Sequence, residues 1–230
     1  MRSLPPLVLI LTLLQLAYPE ILLNGALSAV AALILFIAFQ SHTNDRDSLT
    51  GVRSHNNFLT ELSLRLGSQQ PIHIITVSLL SLSEINLRHG HSVGDAVLYE
   101  AARYLDRYSS HGRAFRPGGV TFALVLPWVS SQQADRDLET IRARFQKPWV
   151  LGSLSCRSDF CMTDLCCGNA PNTTAEQVME WLEYAISLAR EERGTVRFDQ
   201  QVAARLQHKQ ELISLMRRAI EGRQFQVWYQ

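Results

Sequence analysis

Four cysteines and two histidines are the first residues whose clustering suggests chemistry. Cys156, Cys161, Cys166 and Cys167 follow the spacing C-x4-C-x4-C-C. That is not the C-x2-C pair that closes a zinc knuckle, and in a reducing compartment all four stay thiols. Around the apolar segment Phe160 to Cys167 they read as small buried side chains. His89 and His91 flank Gly90 in a polar loop and look like a metal pair only in isolation. No metal site is therefore expected. Pro117-Gly118-Gly119 separates two short apolar runs and reads as the tight turn of a hairpin.

The elements that must position such residues show in the hydropathy periods. Phe58, Leu62 and Leu66 repeat every fourth residue, marking a helix that ends at Gly67. Ile72 to Leu80, after Pro71, is a dense, partly β-branched run typical of a buried central strand. Val97, Leu98, Ala101, Ala102 and Leu105 share one face of a helix starting near Gly94. Arg113 to Arg116 and Val120 to Leu126 form the hairpin; Ala134, Leu138, Ile141 and Phe145 mark another helix. Phe160 to Cys167 is a strand, Ala175 to Arg190 a helix, and Thr195 to Phe198 a short strand. Mixed order of this kind predicts an α/β (α+β) domain, an open sheet with helices packed on it.

The two ends of the chain differ from this body. From Leu4 to Phe39 the only formal charge is Glu20, and Ile21 to Phe39 carries none. As a helix that stretch would span about 28 Å, near the thickness of a bilayer core. Residues 1–40 are thus expected to form a membrane anchor of one or two transmembrane helices. The earlier run, Leu4 to Ala17, is either a first span turning at Tyr18-Pro19-Glu20 or the core of a signal peptide. A two-span hairpin would leave Arg2 and the soluble domain in the cytoplasm, on one face of the inner membrane. Residues 41–48 read as a linker. After Asp199, a charged amphipathic helix, Leu206 to Glu221, and a strand, Phe225 to Tyr229, read as the opening of a second domain. That segment is expected to pack loosely and to self-associate through Leu212, Leu215, Ile220, Phe225, Val227 and Tyr229. A formal net charge of +1 argues against nucleic acid as a partner.

Four strings then line up in one order: "DSLTG" from Asp47, opening the first soluble helix, "EINLRHGHSVGDAVL" from Glu84, "RPGGVTF" from Arg116 and "AISLAREERG" ending at Gly194. Together they resemble the GGDEF family, the diguanylate cyclases that join two GTP molecules into cyclic di-GMP. The resemblance covers about residues 45 to 200 and implies that family's nucleotidyl-cyclase-like sheet over residues 49–200. The tail, residues 201–230, resembles the start of an EAL domain, the phosphodiesterase that hydrolyses cyclic di-GMP, without that family's catalytic carboxylates.

Residue by residue, the resemblance implies a degenerate site. Joining nucleotides needs metal ions, and hard cations need converging carboxylates. The family's first acidic ligand, eight residues before the Asn matched by Asn86, falls on Ser78. The two acidic positions after the glycines fall on Val120 and Thr121. Catalytic residues are therefore expected to be absent. Gly118 and Gly119 keep the turn that in the family approaches phosphates. Asn86 and Asp95 match its guanine-reading pair, through complementary donors and acceptors; alternatively Asn86 supports a loop and Asp95 favours a helix start. Arg190 stands at a phosphate-binding lysine position, and the following Gly-Arg pair is reversed as Arg193-Gly194. The product-inhibition motif is replaced by Ser109-Ser110-His111-Gly112. The expectation is a regulatory or dimerising module with no cofactor, partnered by the membrane, with GTP as a residual ligand and a weak cyclase as the enzymatic rival. It would be the front of a cyclic di-GMP phosphodiesterase.

Overall fold

The computed structural model describes residues 28–36, 45–109, 113–167 and 173–222. They fall into two units, one up to Asp45 and one from Arg46 onward. In the first, residues 28–36 are helical and exposed. Most of the expected span Ile21 to Phe39 and all of Leu4 to Ala17 lie outside the described residues. Among the described residues no helix is long and apolar enough to cross a membrane.

The second unit contains α1 (His55–Gly67), β1 (Ile72–Leu79), α2 (Leu82–His89), α3 (His91–Tyr108), β2 (Ala114–Gly118), β3 (Thr121–Pro127), α4 (Ser131–Phe145), β4 (Trp149–Leu151), β5 (Leu154–Cys156), β6 (Phe160–Cys167), α5 (Ala175–Glu192), β7 (Thr195–Arg197) and α6 (Gln200–Glu221). Five strands form one sheet in the order β2-β3-β1-β6-β7. β1 is central and antiparallel to both neighbours, and all eight of its residues are buried. Its alternation assigns the two cores. Ile75, Val77 and Leu79 pack with α3 and α4, while Ile72 and Ile74 pack with Phe58 and Leu62 of α1 and Val178 and Leu182 of α5.

The helices start where local chemistry provides a cap. Thr174 and Gln177 form a reciprocal capping box at α5, and Ser130 accepts from the Gln133 N–H at α4. Several boundaries differ from expectation. "DSLTG" does not open α1; it is a hydrogen-bonded turn, and the helix begins at His55. Helix α3 begins at His91, so His89 and His91 end one helix and begin the next instead of sitting in a loop. The β4–β5 hairpin was not foreseen. It turns at Gly152, which has φ +62°, and is anchored by buried Trp149 against Phe145.

The segment after Asp199 is not uniformly loose. Asp199 caps α6 by accepting from the Val202 N–H. Val202 and Leu206 are buried, Val202 beside Ala185, Ala189 and Val196. Further along, Gln210 bonds Glu180 and Lys209 lies over the Tyr184 ring. Only then do Leu212, Leu215 and Ile220 stand exposed; Phe225 to Tyr229 lies outside the described residues. Leu206→Ala should lower stability to chemical denaturation by about 2–3 kcal/mol, and Leu215→Ala by less than about 0.5 kcal/mol.

Candidate functional site

The three positions where carboxylates are missing meet at the end of β1. Antiparallel register sets Ser78 opposite Thr121 on β3 and Cys161 on β6. The Ser78 and Thr121 hydroxyls are buried and hydrogen-bonded to each other at 2.7 Å. Arg190, on α5, donates to the same Thr121 oxygen at 3.3 Å. Val120 is half-buried, and its carbonyl accepts from the Leu79 N–H. A cavity of about 530 Å³ opens beside this cluster, lined by Gly118, Thr121, Arg190, Glu191, His55 and Phe58 among others. A larger one, about 930 Å³, is lined by Arg142, Arg157, Asp159 and the reversed Arg193-Gly194 pair, and by none of Asn86, Asp95, Gly118, Gly119 or Arg190.

The hairpin turn is held by a residue the sequence reading had not singled out. Arg116 donates from Nε and Nη2 to the Gly119 carbonyl and from Nη1 to Asp47. Asp47 also accepts from the Thr50 N–H and hydroxyl, closing the turn whose Gly51 has φ +73°. One guanidinium thus joins "DSLTG" to "RPGG". Burial would raise the Asp47 carboxyl; the bonds from Thr50 and Arg116 outweigh it and hold the group below its usual range. Gly119 has φ +51°, a left-handed turn that glycine adopts freely.

Asn86 and Asp95 lie at the corner between α2 and α3. A Cβ at Gly94 would sit 1.8 Å from the Asn86 Oδ1, so glycine there is what admits the amide. That buried oxygen has no hydrogen-bond partner. Asp95 is exposed in the second turn of α3. It is not a cap, because the helix already begins at His91 behind Gly90.

Residues 44–195 match the family model described as diguanylate cyclase, GGDEF domain. The chain belongs to the GGDEF family. The diguanylate cyclase DgcM of Escherichia coli K12 is 32% identical over 116 residues, 48% of this chain and 28% of that protein. VdcA of Vibrio cholerae is 28% identical over 102 residues, 44% of this chain and 30% of that protein. The chain thus spans less than a third of either relative. Among solved structures, the GGDEF domain of PA1120 (TpbB or YfiN) from Pseudomonas aeruginosa has a TM-score of 0.62 at 23% identity, covering 70% of this chain and 99% of that one. The FimX GGDEF domain from the same organism has a TM-score of 0.58 at 16% identity, covering 66% and 98%. These likenesses establish the fold of a GGDEF domain of cyclic di-GMP signalling proteins.

The donor set of this GGDEF domain does not fit the family's metal ions. Two hydroxyls share one hydrogen bond, the third side chain is a valine, and the nearby cation Arg190 donates to the Thr121 oxygen. Hard divalent cations want carboxylates, and a fixed guanidinium repels them. Of the remaining product-inhibition positions, Ser109 is buried and accepts from the Arg113 N–H, while 110–112 lie outside the described residues.

A second polar cluster occupies the other face of the same strand. His73 Nε2 lies 2.6 Å from Asp164 Oδ1, and Arg197 Nε donates to Asp164 Oδ2 at 2.6 Å before reaching Asp135. Asp164 is fully buried. Burial would raise its carboxyl; the hydrogen bond from His73 and the Arg197 guanidinium more than offset that and hold it low. Cys156, Cys161 and Cys167 are buried as expected, but Cys166 is exposed, because β6 turns it toward solvent beside His73. Partial burial and the Asp164 charge push its thiol up to about 12, so it is no nucleophile at neutral pH. The signal for this cluster was present in the sequence: one histidine and one aspartate inside two apolar strands.

Two measurements check these assignments. Ser78→Ala and Thr121→Val each strand a buried hydroxyl and should cost about 1–3 kcal/mol. The double variant should cost less than their sum in a denaturation cycle. Because Asp164 is depressed in the folded state, its contribution is present above the ordinary aspartate pKa of about 3.9 and is lost as pH falls through the lower folded value. Stability should therefore drop below about pH 4. Asp164→Ala, already weaker by about 3–5 kcal/mol, should show a flatter profile across that window.

Proposed function

We propose that this chain is a non-catalytic GGDEF domain serving a membrane-bound cyclic di-GMP signalling protein as a regulatory or dimerising module. One observation carries the reading: the mutually bonded Ser78 and Thr121 hydroxyls, with Val120 beside them, stand where the family's acidic ligands would converge. Without those ligands no metal ion is held to activate the attacking hydroxyl. The guanidinium of Arg190 can neutralise phosphate charge but cannot accept the proton of a ribose hydroxyl.

A ligand role without turnover is the second reading, and the partnerless Asn86 Oδ1 favours it. A guanine base has N–H donors to offer that oxygen once the side chain turns out from under Gly94, and Asp95 is exposed at the same corner. The parent protein is proposed to sit in the inner membrane through residues 1–40, with this domain in the cytoplasm. The tail from about residue 201 is proposed to lead into an EAL phosphodiesterase module.

The full chain, purified in detergent and given GTP with magnesium or manganese, should yield no cyclic di-GMP above a protein-free control. Product formation would overturn the reading in favour of a weak cyclase. Ser78→Asp should not restore activity, because positions 120 and 121 remain without carboxylates. Labelled GTP should bind without magnesium if Asn86 and Asp95 read the base, and Asn86→Ala should abolish that binding; no binding at all leaves the scaffold role.

A further inference from the structure

The polar cluster on the face of β1 opposite the hydroxyl pair has the composition of a transition-metal site. His73 and Cys166 are directly opposed in the β1–β6 register, and Asp164 lies two residues from Cys166 on the same face. Their ligand atoms, Nε2, Sγ and a carboxylate oxygen, all fall within 4.8 Å of one another. We propose that His73, Asp164 and Cys166 bind a zinc ion. This inference is independent of the proposed function: His73 and Ser78 are five residues apart on one strand, so they point to opposite faces.

The donor chemistry selects the ion. An imidazole, a thiolate and a carboxylate suit zinc, and three protein ligands leave a fourth position open. Bond lengths of about 2.0–2.3 Å place tetrahedral ligands about 3.3–3.6 Å apart. The Sγ to Oδ1 separation is already 3.9 Å, and the Nε2 to Oδ1 gap of 2.6 Å must open by about 0.7 Å. The ion would displace the hydrogen between those two atoms. In a neutral His73 that hydrogen moves to Nδ1, and the Cys166 thiol gives its proton to solvent. Zinc, one carboxylate and one thiolate sum to zero formal charge, which suits a site with two buried ligands.

The surroundings supply what such a site needs beyond its ligands. Arg197 holds Oδ2 of Asp164 and is itself held by Asp135, leaving Oδ1 to face the ion. Outer partners of this kind orient a ligating carboxylate. Trp128 stands edge-on to the His73 ring, the centroids 6.1 Å apart. Cys166 is exposed, so the ion has a path from solvent and an open position facing it.

Titrating the reduced full chain with cobalt(II) tests the site directly. The expected result is one equivalent bound, with a thiolate-to-cobalt charge-transfer band and tetrahedral visible bands, both erased by zinc. Cys166→Ser, at an exposed position, should abolish the charge-transfer band and weaken zinc binding by at least about 100-fold, the upper range for losing even an outer partner. Cys167→Ser, on the opposite face, should leave the spectrum unchanged. His73→Gln should lose binding, and Cys166→Ser decides the matter if that variant does not fold. Absence of the band in the parent chain, or its persistence in Cys166→Ser, would overturn the assignment.

Discussion

Strand β1 is buried along its whole length on both faces, and no polar side chain on it can reach bulk water. Each must therefore find its partner across the sheet, since a buried unpaired polar group costs about 1–3 kcal/mol. His73 finds Asp164, Thr76 finds Thr163 at 2.6 Å, and Ser78 finds Thr121. The antiparallel register on both sides supplies these meetings. Much of the fold depends on that strand, because the two larger cores use its alternate residues and α1, α3, α4 and α5 pack against them.

The same constraint explains how the polar side chains at the end of β1 are accommodated without an ion. Carboxylates at positions 78 and 121 would face each other in a buried space, and only bound cations could offset their repulsion. Two hydroxyls need no ion. Arg190 completes the arrangement from α5 by donating to the same oxygen. The Ser78–Thr121 pair is thus a bonded polar contact and not a hole in the structure. The turn nearby survives because its support is separate: Arg116 holds the Gly119 carbonyl and Asp47 whether or not a metal binds.

Segments with a strong period were legible from the chain alone. The Phe58–Leu62–Leu66 helix, the run that became β1, the Gly-Gly hairpin and α5 were all placed within a few residues. The family followed from four short strings, and with it the positions 78, 120 and 121. Elements of three residues, such as β4 and β5, carry too little period to stand out. The start of α3 was misplaced because His91 and Ser92 show no apolar face, and the helix begins there only because Gly90 admits φ +87°.

What the sequence determined by itself was residue type: which positions lack a carboxylate, which segments alternate, and where glycine permits a turn. Only the tertiary structure decided who meets whom. That Ser78 bonds Thr121, that Arg116 reaches back to Asp47, and that His73 faces both Asp164 and Cys166 are contacts between residues 43 to 93 positions apart or, for Arg116 and Asp47, 69 apart. Local propensity carries no information about such pairs, because strand register and burial bring them together only after the sheet has formed. The first two turns of α6 make the same point. Val202 looks like part of the exposed face of an amphipathic helix until Ala185 and Ala189 are there to bury it.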